Sequence, residues 1–593
     1  MLACGWPSRA APGDEGGRID LLAALARADV CPGAGEHCWP EEVSTGLHRA
    51  PATPELVVLP PRASSDLYVR VPAGGLLSLE FSDGGSPLAL RSQADDGRER
   101  ELYRSPTSPD VGRWQTADIP LGDVAGKVVR LRLVAEAGPR PDGDRAGILV
   151  RSATLRGESL AAPPSALPRS HRPNVIVYVI DTLRADHLGC YGYRRPTTPR
   201  IDAFAASAVR FTAAIAQSSW TLPATASILT GLVPGHHGAI DREHGIRSGV
   251  ATLAEALPGY QTTAFVTNYL GSAIFGHARG FERFHFYAEQ GERRAPVYLG
   301  SDALYRRIAR WLARGPRQPF LLYVHASDPH FPYLPPPRMA RPFLPRGVGR
   351  DAVRALVDRA RPFYLGNERW GTRPPELSDD EVRLLGDLYD GDVRTADTYF
   401  GRLMDDLARN GLLDDTLVVL TADHGEEFLE HGGVAHGQTL YREVLRVPLL
   451  VRLPGGAQGG TRVDRVVRQV DIFPTVLDLL GLPPRPWLDG TSLVTPAPGE
   501  GEAYSVLHLG GFDVESLSTL EWKAIHNFGG RPRFELYRLL EDPGEQRDVA
   551  AASPVALGYA RVRLPELGTV PAPGARVDPQ RLARLRALGY AGD

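Results

Sequence analysis

Lysine is nearly absent from this chain. Of 67 Lys and Arg residues only Lys127 and Lys523 are lysine, and residues 171–500 contain none. Cysteine is scarce as well: Cys4, Cys31, Cys38 and Cys190 are the only four in 593 residues, too few for a disulfide scaffold and without CxxC or zinc-finger spacing. Cys31 and Cys38 either pair across a short loop in an oxidising compartment or are two unrelated thiols. No apolar run reaches the roughly 18 residues of a membrane-spanning helix. An excess of one charge is also missing. The balance of 67 basic against 70 acidic residues leaves a net charge of -3, with no long block of either sign, which argues against a nucleic-acid or membrane-surface partner.

What is present is length, enough for two or three domains rather than one core. Residues 1–50 form an N-terminal segment. Its opening MLACG places Cys4 after Leu2 and Ala3, as in the cleavage box of a bacterial lipoprotein, although the charged and apolar regions that precede such a box are missing. Either the match is chance or the true start lies upstream. The second case implies a lipid anchor and a cell-envelope or periplasmic location; the first implies a cytoplasmic one. Residues 51–157 hold short apolar runs such as "DLYVRVP", "LLSLEFS" and "VVRLRLVAE", broken by turn residues every 8 to 12 positions, and predict an antiparallel β-sandwich. A carbohydrate-binding role for it would rest on fold analogy alone. Residues 158–173 read as a Pro/Ala/Ser linker.

The span 174–485 reads differently. "NVIVYVI", "TAFVT", "FLLYVHA", "TLVVLTA" and "VPLLVRL" are continuous β-branched or apolar runs, as strands buried on both faces should be. Helical patterns separate them, notably 379–410, opened by Ser378 with Glu381 in a capping box. The expected fold is α/β, a mostly parallel doubly wound sheet with helices on both faces. Residues 486–593 return to short strands and predict a small antiparallel subdomain.

Ligands of open α/β sheets bind beyond the carboxyl ends of the strands, and the sharpest polar residues lie there. Asp181 ends the first run; His325, Asp328 and His330 cluster at the end of the third; Asp423 and His424 follow the fourth; Thr221 opens a helix in "SSWTLPATASILTG". Singly each is weak, since an aspartate at a strand end is commonly a helix cap. Together with "TADHGEEFLEHGGVAHG" (421–437), which adds His431, His436, Glu426, Glu427 and Glu430, they offer oxygen and imidazole donors suited to zinc, or to manganese and magnesium where carboxylates dominate. The plainer reading of that stretch is a solvated acidic loop. Plainer readings also hold elsewhere: Gly235 of "GHHG" as the C-cap of the Thr221 helix, Asp390 and Asp392 as ion-pair partners of Arg394 or other residues, Cys190 as packing, and Arg184 with Asp186 as a loop brace.

Six ordered blocks, "NVIVYVIDTLRADHLGCYGYRRPTTPRIDAFA", "SSWTLPATASILTGLVPGHHG", "YVHASDPHFPYLPP", "LYDGDV", "LLDDTLVVLTADHGEEF" and "HGQTLYREVLRVPLLVR", resemble the sulfatase branch of the alkaline phosphatase superfamily. The resemblance implies a metal-dependent enzyme acting on sulfuric or phosphoric esters. The chain departs from that pattern at several points. Thr221-Leu222-Pro223-Ala224-Thr225 stands where sulfatases have Cys or Ser, then x-Pro-x-Arg, so the formylglycine aldehyde is not expected. Asp181-Thr182 replaces a pair of aspartates, and the catalytic region lacks the lysines that sulfatases bring to sulfate. These changes resemble the phospho-transfer relatives with a Thr nucleophile.

The resemblance implies a divalent metal, with zinc favoured over manganese, magnesium or calcium, held by Asp181, Thr221, Asp423 and His424. Thr221 is then the nucleophile, and His330 and His436 hold a non-bridging oxygen, protonate the leaving group or bind a second metal. The expected partner is an anionic ester, on a glycan or a lipid headgroup. The alternatives are a sulfatase working without formylglycine and a non-catalytic glycan-binding protein.

Overall fold

A computed structural model of the chain describes residues 18–22, 30–32, 57–59, 63–82, 87–106, 113–136, 148–157, 172–290, 296–364, 377–494, 501–528, 534–567 and 574–580. Cys4, Cys38 and most of the expected linker lie outside these residues. The chain divides into two units: residues 1–162 with 496–499 and 549–563, and residues 163–495 with 500–548 and 564–593.

The first unit contains two five-stranded antiparallel sheets. Alternating residues of their strands, among them Leu67, Val69, Leu77, Leu79, Phe81, Val129 and Leu131, are buried in one apolar cluster, as period-two patterning requires. The helix Pro554–Leu567 begins in this unit, where the Val555 N–H bonds Asp95 Oδ1 at 2.8 Å.

The second unit is mixed α/β. Its central sheet has eight strands, numbered here β1 (Asn174–Ile180), β2 (Val209–Ile215), β3 (Gln261–Val266), β4 (Arg283–Phe286), β5 (Phe320–Ala326), β6 (Thr416–Ala422), β7 (Arg446–Arg452) and β8 (Arg462–Arg468), in the order β4-β3-β5-β1-β6-β7-β2-β8. Every pair is parallel except the two that β7 makes with β6 and β2. All seven residues of β1, β5 and β6 are buried, which is why these segments read as unbroken apolar runs. A four-stranded antiparallel sheet, β9 (Ala503–Leu509) to β12 (Phe534–Arg538), follows. No helix among the described residues is long and apolar enough to cross a membrane.

Helices α1 (Pro199–Ala205), α2 (Thr221–Thr230), α3 (Ser301–Ala313) and α4 (Asp379–Arg409) belong to the same unit. The expected capping box opens α4: Ser378 Oγ accepts the Glu381 N–H, and Glu381 Oε2 accepts the Ser378 N–H at 2.9 Å. Helix α4 packs against α1 and α3, and Asp397 on it accepts the first N–H groups of α1, from Arg200 and Ile201. Asp390 is an ion-pair partner as expected, of Arg195 rather than Arg394. It takes His187 Nδ1 at 2.7 Å, the Tyr193 hydroxyl at 2.8 Å and Arg195 at 2.6 Å, because Arg394 is turned to the Pro196 carbonyl.

All ten residues of α2 are buried. Its C-cap is Gly231 rather than Gly235: the chain turns left-handed at Gly231, with φ 66°, before a separate short helix from Pro234 to His237. The histidines of that short helix are structural as expected, His236 on Asp489 and His237 Nε2 on Ser227 Oγ. A Cβ on Gly231 would sit 2.8 Å from Leu488 Cδ2 and 3.1 Å from Phe473 Cβ in a conformation that L-residues avoid. Gly231→Ala is therefore expected to destabilise the protein by roughly 1–2 kcal/mol, read as a lower midpoint in thermal unfolding; an unchanged midpoint would mean that the turn adapts without cost.

Candidate active site

The parallel register of β3, β5, β1 and β6 builds the site. Val179 of β1 pairs with His325 of β5 and Thr421 of β6, and Val266 of β3 pairs with His325. Side chains in register share a sheet face, and the residue two further along returns to that face. Asp181, Asp423 and Asn268 each lie two residues beyond Val179, Thr421 and Val266, so they meet His325 at one carboxyl edge.

The distances follow. His424 Nε2 lies 3.8 Å from Asp181 Oδ1 and 3.4 Å from Asp423 Oδ2. His325 Nε2 lies 3.7 Å from Asp181 Oδ2 and 3.4 Å from Asp423 Oδ2. Thr221 Oγ1 stands 3.3 Å from His424 Nε2. Asn268 Nδ2 donates to Asp181 Oδ2 at 2.7 Å and reaches Thr221 Oγ1 at 3.4 Å. The four residues Asp181, Thr221, Asp423 and His424 thus converge, and Asn268 and His325 join them. Asn268 carried no signal beyond its place just past a strand. His325 was visible at a strand end, without a stated role.

Thr221 is the first residue of α2, not its N-cap. Trp220 holds that position without a side-chain bond, so the Thr221 hydroxyl is not spent on its own helix. Pro223 falls in the first turn, where its missing N–H costs little. Thr225, at the place of the sulfatase arginine, donates to the Thr221 carbonyl at 2.6 Å and sits 2.9 Å from His277 Nε2. It braces the turn from behind.

Two carboxylates are buried together here. Burial, then repulsion from Asp423, pushes Asp181 well above the usual carboxylate range. Asp423 is buried too, yet its contacts with the His424 and His325 rings and the backbone N–H of His424 hold it below that range. Its Oδ1 accepts the N–H groups of Thr182 at 3.1 Å and His424 at 2.9 Å. Burial lowers His424 to about 4, leaving a neutral imidazole. Its Nδ1 faces the Gly425 carbonyl at 3.0 Å, which assigns the proton to Nδ1 and turns the Nε2 lone pair to the site. Asp181 Oδ1, Asp423 Oδ2 and both nitrogens of His325 are buried without a hydrogen-bond partner. Orphaned buried anions are costly unless paired with a cation, and this donor set fits a divalent one.

The turn after β1 is strained to serve this arrangement. Thr182 has φ 57°, unusual for a β-branched residue. Tyr389 on α4 pins it: its hydroxyl donates to the Thr182 carbonyl at 2.7 Å and accepts the Arg184 N–H at 2.9 Å. Arg184 then grips Asp186, Glu430 and the Glu426 carbonyl, the brace expected of it.

His330 and His436 stand nearer the surface, 8% and 7% exposed, whereas Asp181, Asp423 and His424 are fully buried. Their rings lie 5.1 Å apart, and His436 lies 4.4 Å from the His424 ring. His330 Nδ1 is 2.7 Å from the Phe331 carbonyl, and His436 Nδ1 is 2.7 Å from Glu426 Oε1. Both contacts assign the proton to Nδ1, so that Nε2 carries the lone pair. Tyr333 donates to Glu426 Oε2 at 2.7 Å. Burial raises Glu426 to about 7 and lowers His436 to about 3.

The sulfatase family model matches residues 173–482, and that of the N-sulphoglucosamine sulphohydrolase C-terminal region matches residues 430–557. N-acetylglucosamine-6-O-sulfatase of Bacteroides thetaiotaomicron is 25% identical over 492 residues, 68% of this chain and 86% of that protein. Arylsulfatase A of Homo sapiens is 29% identical over 385 residues, 58% of this chain and 71% of that protein. The solved phosphonate monoester hydrolase of Agrobacterium radiobacter superposes with a TM-score of 0.55 at 24% identity, covering 67% of this chain and 95% of that one.

His431 is turned away from the site. Nδ1–H donates to Glu443 Oε1 at 2.7 Å, Nε2–H donates to the Glu545 carbonyl at 2.9 Å, and the ring stacks on Tyr441 at 3.6 Å. A ring donating from both nitrogens is an imidazolium. Burial opposes that charge, but the bond and charge of Glu443 outweigh it and raise His431 to about 9. A folded value above the unfolded one of about 6.5 means that this stabilisation is complete below about pH 6.5 and is lost as pH rises through about 9. The stability gap between wild type and His431→Gln in urea unfolding is expected to shrink from pH 6.5 to 9.5; a gap constant across that window would show that the imidazolium charge contributes nothing.

Proposed function

Since the chain belongs to the sulfatase family within the alkaline phosphatase superfamily, and is an ester hydrolase of that family, we propose that it cleaves phosphoric esters with Thr221 as nucleophile at a divalent-cation centre. The observation that carries this reading is the Thr221 hydroxyl, 3.3 Å from His424 Nε2 and 3.4 Å from Asn268 Nδ2, beside two buried carboxylates and at a helix mouth. Asp181, Asp423 and His424 would hold the cation, zinc or manganese by the mixture of oxygen and imidazole donors. A divalent cation there supplies positive charge that eases loss of the Thr221 proton and offsets charge on the ester oxygens.

The residues do the rest. The ester enters from the side of His330 and His436, the less buried end. The first-turn N–H groups of α2 orient its anionic oxygens, and the Arg242 charge, which reaches His436, adds attraction. Thr221 Oγ passes its proton to a mouth histidine and forms a bond to phosphorus in line with the departing alcohol, whose bond breaks as that histidine hands the proton on to it. Water or an acceptor alcohol then attacks the phospho-threonine, giving its proton to the same histidine and releasing Thr221.

Three features favour phosphorus over sulfur. Thr221 lacks the aldehyde route by which formylglycine expels sulfate. Thr225, in the arginine position, is bonded to the Thr221 carbonyl and lies against His277. Lys523 is buried on Glu545 at 3.0 Å, and residues 171–500, which hold every residue of the site, contain no lysine. The fold likeness to a phosphonate monoester hydrolase supports the same side. The second reading, hydrolysis of a sulfate ester on a glycan, is favoured by the relatives, which are named as sulfatases, one of them for N-acetylglucosamine 6-O-sulfate.

The test is a rate comparison on metal-replete protein with p-nitrophenyl sulfate, p-nitrophenyl phosphate and bis-p-nitrophenyl phosphate. Phosphoester turnover is expected, falling roughly 10³-fold or more in Thr221→Ala. Sulfate turnover alone would favour the second reading, and full activity in Thr221→Ala would remove the nucleophile assignment.

A further inference from the structure

His325 lies on the floor of the site. The ring is fully buried between β1 and β3. Its Nε2 stands 3.4 Å from Asp423 Oδ2 and 3.7 Å from Asp181 Oδ2, the latter beyond hydrogen-bond range and neither contact closed as a hydrogen bond. One donor atom each from Asp181, His325 and Asp423 lies within 4.8 Å of the others. Ligands about 2.0–2.2 Å from a shared tetrahedral ion stand roughly 3.3–3.6 Å apart, close to the 3.4 and 3.7 Å from His325 Nε2 to Asp423 and Asp181.

Position 182 gives this geometry its meaning. Where the sulfatase pattern has a second aspartate, Thr182 contributes no charge, and its φ of 57° turns its N–H to Asp423 Oδ1. The buried Thr182 Oγ1 has no partner. One anionic donor is thus missing, and an imidazole stands at the same two carboxylates.

The other convergent carboxylate–histidine group found among the described residues is already spent. Glu427, His431 and Glu443 also converge, but His431 donates from both nitrogens to protein acceptors. His277 is bonded to Thr225 behind the nucleophile helix.

We propose that His325 is a ligand of the divalent cation, supplying the donor that Thr182 does not, and that the resulting set of two imidazoles and two carboxylates selects zinc or manganese over calcium. This rests on the reading of the site as a cation centre. Calcium takes six to eight oxygen donors, whereas imidazole suits zinc and other transition ions. A second imidazole in place of a carboxylate therefore lowers calcium affinity while keeping that for zinc.

The experiment uses the full chain stripped with a chelator and titrated with zinc, manganese or calcium against a chromophoric competitor, in wild type and His325→Gln. Wild type is expected to bind one equivalent of zinc or manganese at least about 100-fold more tightly than calcium. His325→Gln is expected to weaken zinc binding at least tenfold. X-ray absorption of wild type loaded with one equivalent of zinc is expected to show two imidazoles, His325 and His424, and this readout stands even where the variant fails to fold. One imidazole, zinc affinity unchanged in a folded variant, or a preference for calcium overturns the proposal while leaving a cation centre. A wild type that binds none of the three ions overturns the cation-centre reading itself.

Discussion

Two carboxylates face each other in the interior with no protein hydrogen bond to the oxygens between them, and the catalytic unit is arranged around that constraint. Asp181 Oδ1 and Asp423 Oδ2 are orphaned, while their outer oxygens are held by Asn268 and by the N–H groups of Thr182 and His424. Leaving such anions uncompensated costs several kcal/mol each even after relaxation. On the proposed reading a bound cation recovers that cost, so cation affinity and stability are two faces of one electrostatic problem.

The sheet makes the arrangement rigid. Parallel strands ending in common register place residues from four segments, far apart in sequence, on one face of one edge. The strained turn at Thr182 and the hydroxyl of Tyr389 then fix the loop that follows. Helix α2 brings Thr221 to the same edge with its hydroxyl unused by capping. Burial grades outward, from Asp181 and Asp423 at the floor to His330 and His436 at the mouth, so the carboxylates are held where water is excluded.

Much of this was legible in the sequence because strand ends announce themselves. The apolar runs at 174–180, 320–326 and 416–422 stop abruptly at polar residues, and Asp181, Asp423 and His424 stand at two of those stops. The helix 379–410 was readable from its capping box. Asn268 was not, since an asparagine after a strand is common and only the register of β3 against β5 reveals its face. His325 was visible at the end of an apolar run, but its role was not, because only the register of β5 against β1 and β3 brings its ring to the two carboxylates. The misreading of the helix stop has a local cause. Gly231 and Gly235 both offer a helix stop, and only backbone geometry decides between them. Asp390 was legible as an ion-pair partner, but its choice of His187, Tyr193 and Arg195 across about 200 positions is a long-range one that sequence spacing does not encode.

The direct test of the buried-carboxylate account is elemental analysis of the protein purified without added metal, with thermal unfolding before and after chelation. One tightly held divalent ion per chain, and a melting midpoint that falls on its removal and recovers on its return, is the predicted result. A protein free of metal, with a midpoint indifferent to chelator and to added ions, would show that Asp181 and Asp423 satisfy each other without a cation, and would contradict the account.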